Sequence, residues 1–272
     1  MEKLRADKIA GWVNGRLSGN EATVADNVST DTRTLTEGSL FVAIRGEKFD
    51  GHEFIGDAFS KGARIVISEE EYPVDGDRAV IVVGDTVKAL GDLARNYIRT
   101  FDITVIGITG SVGKTTTKEM IAQILSTQYN VHKSMGNFNN HIGLPLSVLN
   151  LDRSHSVAVF EMGMSAMGEI DYLSRIIQPD IGIITNIGIS HIEKLGSRQN
   201  ILRAKLEIIN GMKENGVLIL NGDDELLSGL EGLLPMPVVF YGISEECNVR
   251  GYGIESLGEK GVRFTVNIRN RD

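Results

Sequence analysis

The residues able to do chemistry cluster first in Gly110-Ser111-Val112-Gly113-Lys114-Thr115-Thr116. Two glycines let backbone N–H groups wrap an anion, a lysine reaches its outer oxygens, and a hydroxyl next to the lysine suits Mg²⁺. This is the composition of a phosphate-binding loop. It departs from the strict G-x-x-x-x-G-K-[ST] spacing, because position 108 is Ile and the upstream glycine, Gly107, stands one residue early. Three further residues stand out downstream. Glu161 ends an apolar run, where a carboxylate suits a cation bridging nucleotide phosphates. His191 lies past the next such run, as a second-cation ligand, a phosphate contact or a structural loop residue. Lys205 interrupts an apolar helical stripe made by Ile201, Ile208 and Ile209. Its stem packs either with the head in water, or as a partly buried amine whose pKa falls far enough to react with CO₂. Asn137–Pro145, with Asn139 and Asn140, is a polar loop leading into an apolar helix; it closes a turn or borders the site.

Stepping from these residues to their supports, Ile103–Thr109 is a β-branched run suited to a covered parallel strand. Thr117, Met120, Ile121, Ile124 and Leu125 fall at helical spacing and predict one apolar stripe after the loop. Strands at Val157–Phe160, Ile181–Thr185 and Val217–Leu220 alternate with helices over Gly168–Ile177 and about Gln199–Met212. Such alternation predicts a parallel sheet with ligands at the carboxyl ends of its strands. Upstream, Leu4–Val13 reads as a helix, and Thr30–Arg33 and Leu40–Gly46 read as strand-like, with a turn at Glu37-Gly38 between them. Phe54–Phe59 reads as a helix, Ala63–Ser68 and Ala79–Val83 as strands, and Val87–Tyr97 as a helix. The tail Val238–Ile268 is strand-rich, broken at Gly251, Gly253 and Gly258–Gly261. The expected fold class is α/β: a small mixed α/β domain over residues 1–98, then a parallel-sheet ATPase domain of the phosphate-loop type over 99–272.

Composition narrows the function classes. A formal charge of −8 over 272 residues argues against nucleic acid and against a membrane surface, both of which need a positive face. An anionic ligand must meet locally placed cations. The single cysteine, Cys247, excludes an intrachain disulfide. The amino-terminal segment lacks the apolar core of a signal peptide, and no stretch approaches the ~20 apolar residues of a membrane span. A cytoplasmic monomer with no membrane insertion is expected.

Together these stretches resemble the Mur ligases of peptidoglycan synthesis. The resemblance is carried by Asp31-Thr32-Arg33, Leu40–Gly46 with Asp50-Gly51-His52, Thr109–Thr116, Asn137–Pro145, Glu161-Met162-Gly163 with Gly168-Glu169-Ile170, Thr185–His191 and Ala204-Lys205-Leu206-Glu207. They occur in family order over nearly the whole chain. The Asn139-Asn140 pair and the Glu161–Glu169 stretch point to the branch that joins D-Ala-D-Ala to UDP-N-acetylmuramoyl-tripeptide. The resemblance implies that Asp31, Thr32 and Arg33 lie near the nucleotide part of that substrate, and that Phe41 to Gly46, including Arg45, line its site. It adds Asn139 and Asn140 to the substrate set. Residues 110–116 would hold ATP. Thr115 and Glu161 would bind one Mg²⁺, and His191 with a carbamylated Lys205 the second. Lys114, His191 and Lys205 would be the catalytic groups of an ATP-driven amide ligation through an acyl phosphate.

Family members are longer, so the resemblance further implies that the sequence ends inside the middle domain. The third, carboxyl-terminal domain and the adenine contacts would be absent, and the chain would not turn over alone. The rival readings are a relative adding the third amino acid of the peptide, a folylpolyglutamate synthase, a non-catalytic module holding a UDP-linked precursor, and a phosphate-loop switch. The last is disfavoured because no guanine-selecting N-K-x-D motif occurs.

Overall fold

The computed structural model describes residues 1–46 and 49–268. The chain divides into two compact units: Met1–Ile103 with Ser134–Ser156, and Thr104–Lys133 with Val157 onward. The sequence pattern placed a single boundary, between residues 98 and 99. The first crossing falls close to it, at Ile103–Thr104, but Ser134–Ser156 then returns to the first unit. Nothing in the local pattern marks that return, because it is decided by what the segment packs against.

In the first unit, β1 (Leu4–Arg5) leads into α1 (Ala6–Val13), then β2 (Arg16–Gly19), β3 (Val24–Ala25), β4 (Asn27–Ser29) and β5 (Ser39–Val42). After α2 (Ile55–Ser60) come β6 (Ala63–Ser68), β7 (Ala79–Val82) and α3 (Thr86–Ile98). The main sheet has the order β2-β7-β6-β5-β4, parallel except for the β2–β7 pair. Its core is built from Phe41, Ala43, Ile55, Phe59, Val66 and Val80. The expected strand at Thr30–Arg33 is instead a turn, because polar side chains take over the backbone donors. Ser29 Oγ accepts from the Asp31 N–H at 2.9 Å, and Asp31 Oδ1 accepts from the Arg33 N–H at 2.9 Å.

The second unit opens with β8 (Thr104–Thr109), α4 (Lys114–Leu125) and β9 (Val131–Lys133). The excursion carrying α5 (Gly143–Leu149) belongs to the first unit, where α5 packs on α3 and Tyr97 Oη donates to the Leu151 carbonyl at 2.6 Å. The chain continues through β10 (Val157–Glu161), α6 (Glu169–Ile177), β11 (Ile181–Ile184), α7 (Ile192–Leu195) and α8 (Arg198–Leu206). It ends with β12 (Val217–Asn221), α9 (Glu225–Ser228), β13 (Val238–Gly242), β14 (Val249–Ser256) and β15 (Val262–Ile268). The eight-stranded sheet runs β15-β14-β13-β12-β11-β8-β10-β9 and is parallel apart from the β14–β15 hairpin.

Two helical expectations change on packing. The stripe foreseen on α4 is rotated: Met120 and Ile124 face solvent, whereas Ala122 and Lys118 are buried and Ile121 and Leu125 pack on the sheet core. The helix foreseen over Gln199–Met212 ends at Leu206 and tightens into a 3₁₀ turn over Glu207–Gly211. The reason is contact with α6, since a Cβ on Gly211 would lie 2.2 Å from the Ser174 carbonyl carbon. Only glycine permits that approach.

Candidate nucleotide and precursor sites

β8 delivers the phosphate-binding loop to the carboxyl end of the parallel sheet, and α4 starts at Lys114 directly after it. Gly110 adopts φ 150° and Gly113 φ 84°, and a Cβ on Gly110 would meet Thr185 Oγ1 at 1.9 Å. The loop is held open by its neighbours. The Asn186 side chain accepts from the Val112 N–H at 3.0 Å and donates to the Val112 carbonyl at 3.1 Å. Thr185 Oγ1 donates to the same carbonyl at 2.6 Å, and Ser111 Oγ accepts from the Gly188 N–H at 2.9 Å. Behind this brace, Asp224 accepts from the Ile187 N–H at 2.7 Å and Arg198 donates twice to the Ile187 carbonyl. Sequence reading valued residues 185–191 for His191 and missed Thr185 and Asn186 as supports. Their one signal was position, at the carboxyl end of an apolar strand.

The charged groups converge in front of the loop. Thr115 Oγ1 donates to Glu161 Oε2 at 2.8 Å, and Lys114 Nζ donates to the Gly110 carbonyl at 2.9 Å. Glu161 is only 3% exposed, held at the end of β10 by its pairing with Ile108 of β8. Burial lowers the pKa of the Lys114 amine, while Glu161 opposes that shift. Lys205, also 3% exposed, is pushed down to about 7 by burial and then by the nearby charge of Lys114. The amine is therefore the buried kind and not the snorkelling kind.

His191 is exposed, sits at φ 64° before the short α7, and serves its backbone carbonyl to Lys194 and Leu195. Among the described residues no hydrogen bond or ion pair joins its ring to Thr115, Glu161 or Lys205. The donor set fits Mg²⁺: a carboxylate and a hydroxyl within hydrogen-bond distance at a helix N-terminus. No three His, Cys, Asp or Glu side chains gather as a cage among the described residues. A Mg²⁺ commonly completes its shell with water and phosphate oxygens.

The first unit holds a pocket of about 510 Å³ lined by Ser29, Thr30, Asp31 and Thr34 on one side and Asn137, Phe138, Asn140 and Ile142 on the other. Two stretches far apart in sequence, each expected to touch substrate, thus share one cavity. Asp31 is clamped by Arg33, whose Nε lies 2.9 and 3.0 Å from its two oxygens and whose Nη2 donates at 2.6 Å. That pairing, with the Arg33 N–H, holds the Asp31 carboxyl down at about 2. Asn140 Oδ1 accepts from the Ile142 and Gly143 N–H groups and so starts α5.

The other expected substrate residues are placed elsewhere. The Thr32 hydroxyl is bonded to Asp57, and Asn139 is half-buried in the loop beside Asn140. Phe41 is 1% exposed inside the core, so it lines no site; β5 is covered on both faces and leaves no open side for it. Arg45 is bound at once by Asp50 (2.7 Å), Glu69 (3.2 Å) and Glu70 (2.9 Å), with Gly46 beside it. Asp50 is driven far below the usual carboxylate range, first by Arg45 and then by His52. The Glu69 N–H donates to His52 Nε2 at 3.0 Å, so the proton on His52 Nδ1 faces Asp50 Oδ1 at 2.6 Å.

Residues 108–270 match the Mur ligase middle domain, and residues 25–98 match the Mur ligase family catalytic domain. The UDP-N-acetylmuramoyl-tripeptide–D-alanyl-D-alanine ligase of Bacillus subtilis is 48% identical over 269 residues, covering 98% of this chain and 58% of the relative. A crystal structure of MurF from Acinetobacter baumannii superposes with a TM-score of 0.91 at 34% identity, over 99% of this chain and 59% of that one. MurF from Thermotoga maritima in complex with ADP gives 0.80 at 34% identity, over 90% of this chain and 56% of that one. The chain thus spans somewhat under three-fifths of the length of these relatives.

Proposed function

The chain belongs to the Mur ligase family, and from that membership we propose that it supplies the precursor-binding and ATP-binding parts of an ATP-dependent ligase. That ligase joins D-Ala-D-Ala to UDP-N-acetylmuramoyl-tripeptide. The observation that carries the reading is the pairing of Thr115 with buried Glu161 at 2.8 Å, beside Lys114, at the mouth of a braced phosphate loop. The B. subtilis relative bears the name of this reaction, which favours it over a ligase adding the third amino acid.

In this mechanism, the N–H groups of Gly110–Thr116 cradle the phosphates of ATP and Lys114 turns from the Gly110 carbonyl to the outer phosphate oxygens. The tripeptide's terminal carboxylate attacks the γ-phosphorus, forming an acyl phosphate and releasing ADP. The D-Ala-D-Ala amine then attacks the acyl carbon, loses a proton, and expels phosphate through a tetrahedral intermediate. Both reactants are anionic, so holding them in line requires cationic groups placed before the reaction. Thr115 and Glu161 would hold one Mg²⁺, with His191 and Lys205 serving a second; the ions supply charge neutralisation at the transferring phosphoryl group. An amine with its pKa near neutral is available to CO₂, and the carbamate formed on Lys205 would replace a buried positive charge with a negative one. Asp31 and Asn140, which line the first unit's pocket, are assigned to the UDP-linked precursor, together with Thr32, Arg33, Asn139, Arg45 and Gly46 outside that lining.

Calorimetric titration with UDP-N-acetylmuramoyl-tripeptide, the dipeptide and UDP tests the reading. Selective binding of the tripeptide is the expected result. Preference for the dipeptide would move the assignment to the third-residue ligase. Binding without turnover in every assembled form of the protein would favour a non-catalytic precursor carrier, which the presence of Lys114, Thr115, Glu161, His191 and Lys205 argues against.

A further inference from the structure

Helix α6 begins at Glu169 behind Gly168, a residue with no side chain to cap it. Its open N–H groups are met from a distant part of the chain. Glu207 accepts from the Gly168 N–H with both carboxylate oxygens, at 2.7 and 2.9 Å, and from the Asp171 N–H at 3.2 Å. Asp171 is the third residue of α6, where a local cap would ordinarily accept, and the carboxylate also meets the positive end of the helix dipole. Nearby, Asn210 Nδ2 donates to Asp171 Oδ1 at 2.7 Å, and Gly211 lies against Ser174 at backbone distance. The segment after α8 is therefore fastened to α6 at several points, of which only Glu207 is charged.

Lys205 stands two residues before Glu207. On helical backbone, side chains two apart point roughly 200° from each other. Glu207 grips α6, while the buried Lys205 amine, two residues earlier, lies within electrostatic reach of Lys114. Glu161 needs no such help, because sheet pairing holds it. We infer that Glu207 is a positioning residue for the cation site: by capping α6 from another element, it sets where Lys205 stands relative to Thr115 and Glu161. This rests on the reading of those residues as the Mg²⁺–nucleotide site.

The test titrates the chain with ATP in Mg²⁺ and with ATP in chelator. Glu207→Ala is expected to weaken Mg²⁺–ATP binding about tenfold, the usual cost of losing an outer support of a metal ligand, while metal-free ATP binds unchanged. Glu207→Gln keeps an oxygen acceptor and is expected to recover most of the affinity. If Glu207→Ala does not fold, Glu207→Asp, charged but one methylene short, is expected to show the same metal-dependent loss at about threefold. Asn210→Ala, which removes a neighbouring bond to the same helix, should lower Tm without changing the Mg²⁺ preference. Equal losses with and without Mg²⁺, or no loss in either, would overturn the inference while leaving the nucleotide site standing. A wild-type chain blind to ATP in both conditions would overturn the underlying site reading, and the inference with it.

Discussion

The candidate sites of the two units treat charge in opposite ways. In the first unit the carboxylate of the pocket, Asp31, is half-buried and already paired with exposed Arg33, and Arg45 is shared among three carboxylates at the surface. Asp31, Asp50, Arg33 and Arg45 are stabilised as ions by these pairings. In the second unit Glu161 and Lys205 are almost fully covered, and Lys114, which feels both of them, shares with Lys205 a lowered pKa. Water screens the first arrangement and makes it suitable for recognising a polar ligand. The second is costly to keep charged.

The sharpest way to break this contrast is at Gly110. Gly110→Ala sets a Cβ against Thr185 and forbids the observed φ, so it should destabilise the second unit by about 3 kcal/mol and abolish ATP binding. Denaturant unfolding together with titration of the UDP precursor checks this, since precursor binding should survive. Next in size, Lys114→Ala should weaken ATP binding by about 100-fold, in line with the loss of a charge-assisted contact to phosphate. An equal loss of precursor affinity would erase the distinction between the units.

Lys205 tests the cost of burial through pH. Its folded pKa of about 7 lies below the ordinary value of 10.5, so between these limits the unfolded chain holds a proton that the folded chain does not. Stability from this group must rise as pH rises through that window, and the penalty is fully present below it. Relative to Lys205→Met, the wild type should gain roughly 2 kcal/mol between pH 7 and 9; parallel curves would show that the amine is not buried as described. The smallest effect belongs to the Asp31–Arg33 pair. Asp31→Asn should cost under about 1 kcal/mol of stability. The contribution of Asp31 is present above its unfolded pKa near 4 and lost as pH falls toward its folded value of about 2. The same variant should weaken precursor binding several-fold, read by calorimetry.

Much of this was legible in the residues because it is local. The strand, loop and helix around Lys114 lie within one contiguous segment, and the alternation of strands and helices from Val157 onward needs no distant partner to be recognised. The stripe on α4 was misjudged because helical periodicity shows that a face exists without showing what lies beneath it. Here that face meets the sheet through Ala122, with Lys118 buried beside it. Phe41 was assigned to a site by resemblance and belongs to the core, a distinction that depends on whether both faces of β5 are covered.

Residue type and spacing decided that this protein carries a phosphate loop, a parallel sheet and an odd lysine in an apolar stripe. Those features follow from backbone sterics, side-chain periodicity and the chemistry of each group, all of which act over a few residues. Tertiary structure alone decided that Ser134–Ser156 returns to the first unit and that Asn140 shares a pocket with Asp31. It also decided that Lys205 is dry and that Glu207 caps a helix 39 residues away. Burial and long-range hydrogen bonds are properties of a neighbourhood, and a neighbourhood exists only once the chain has folded.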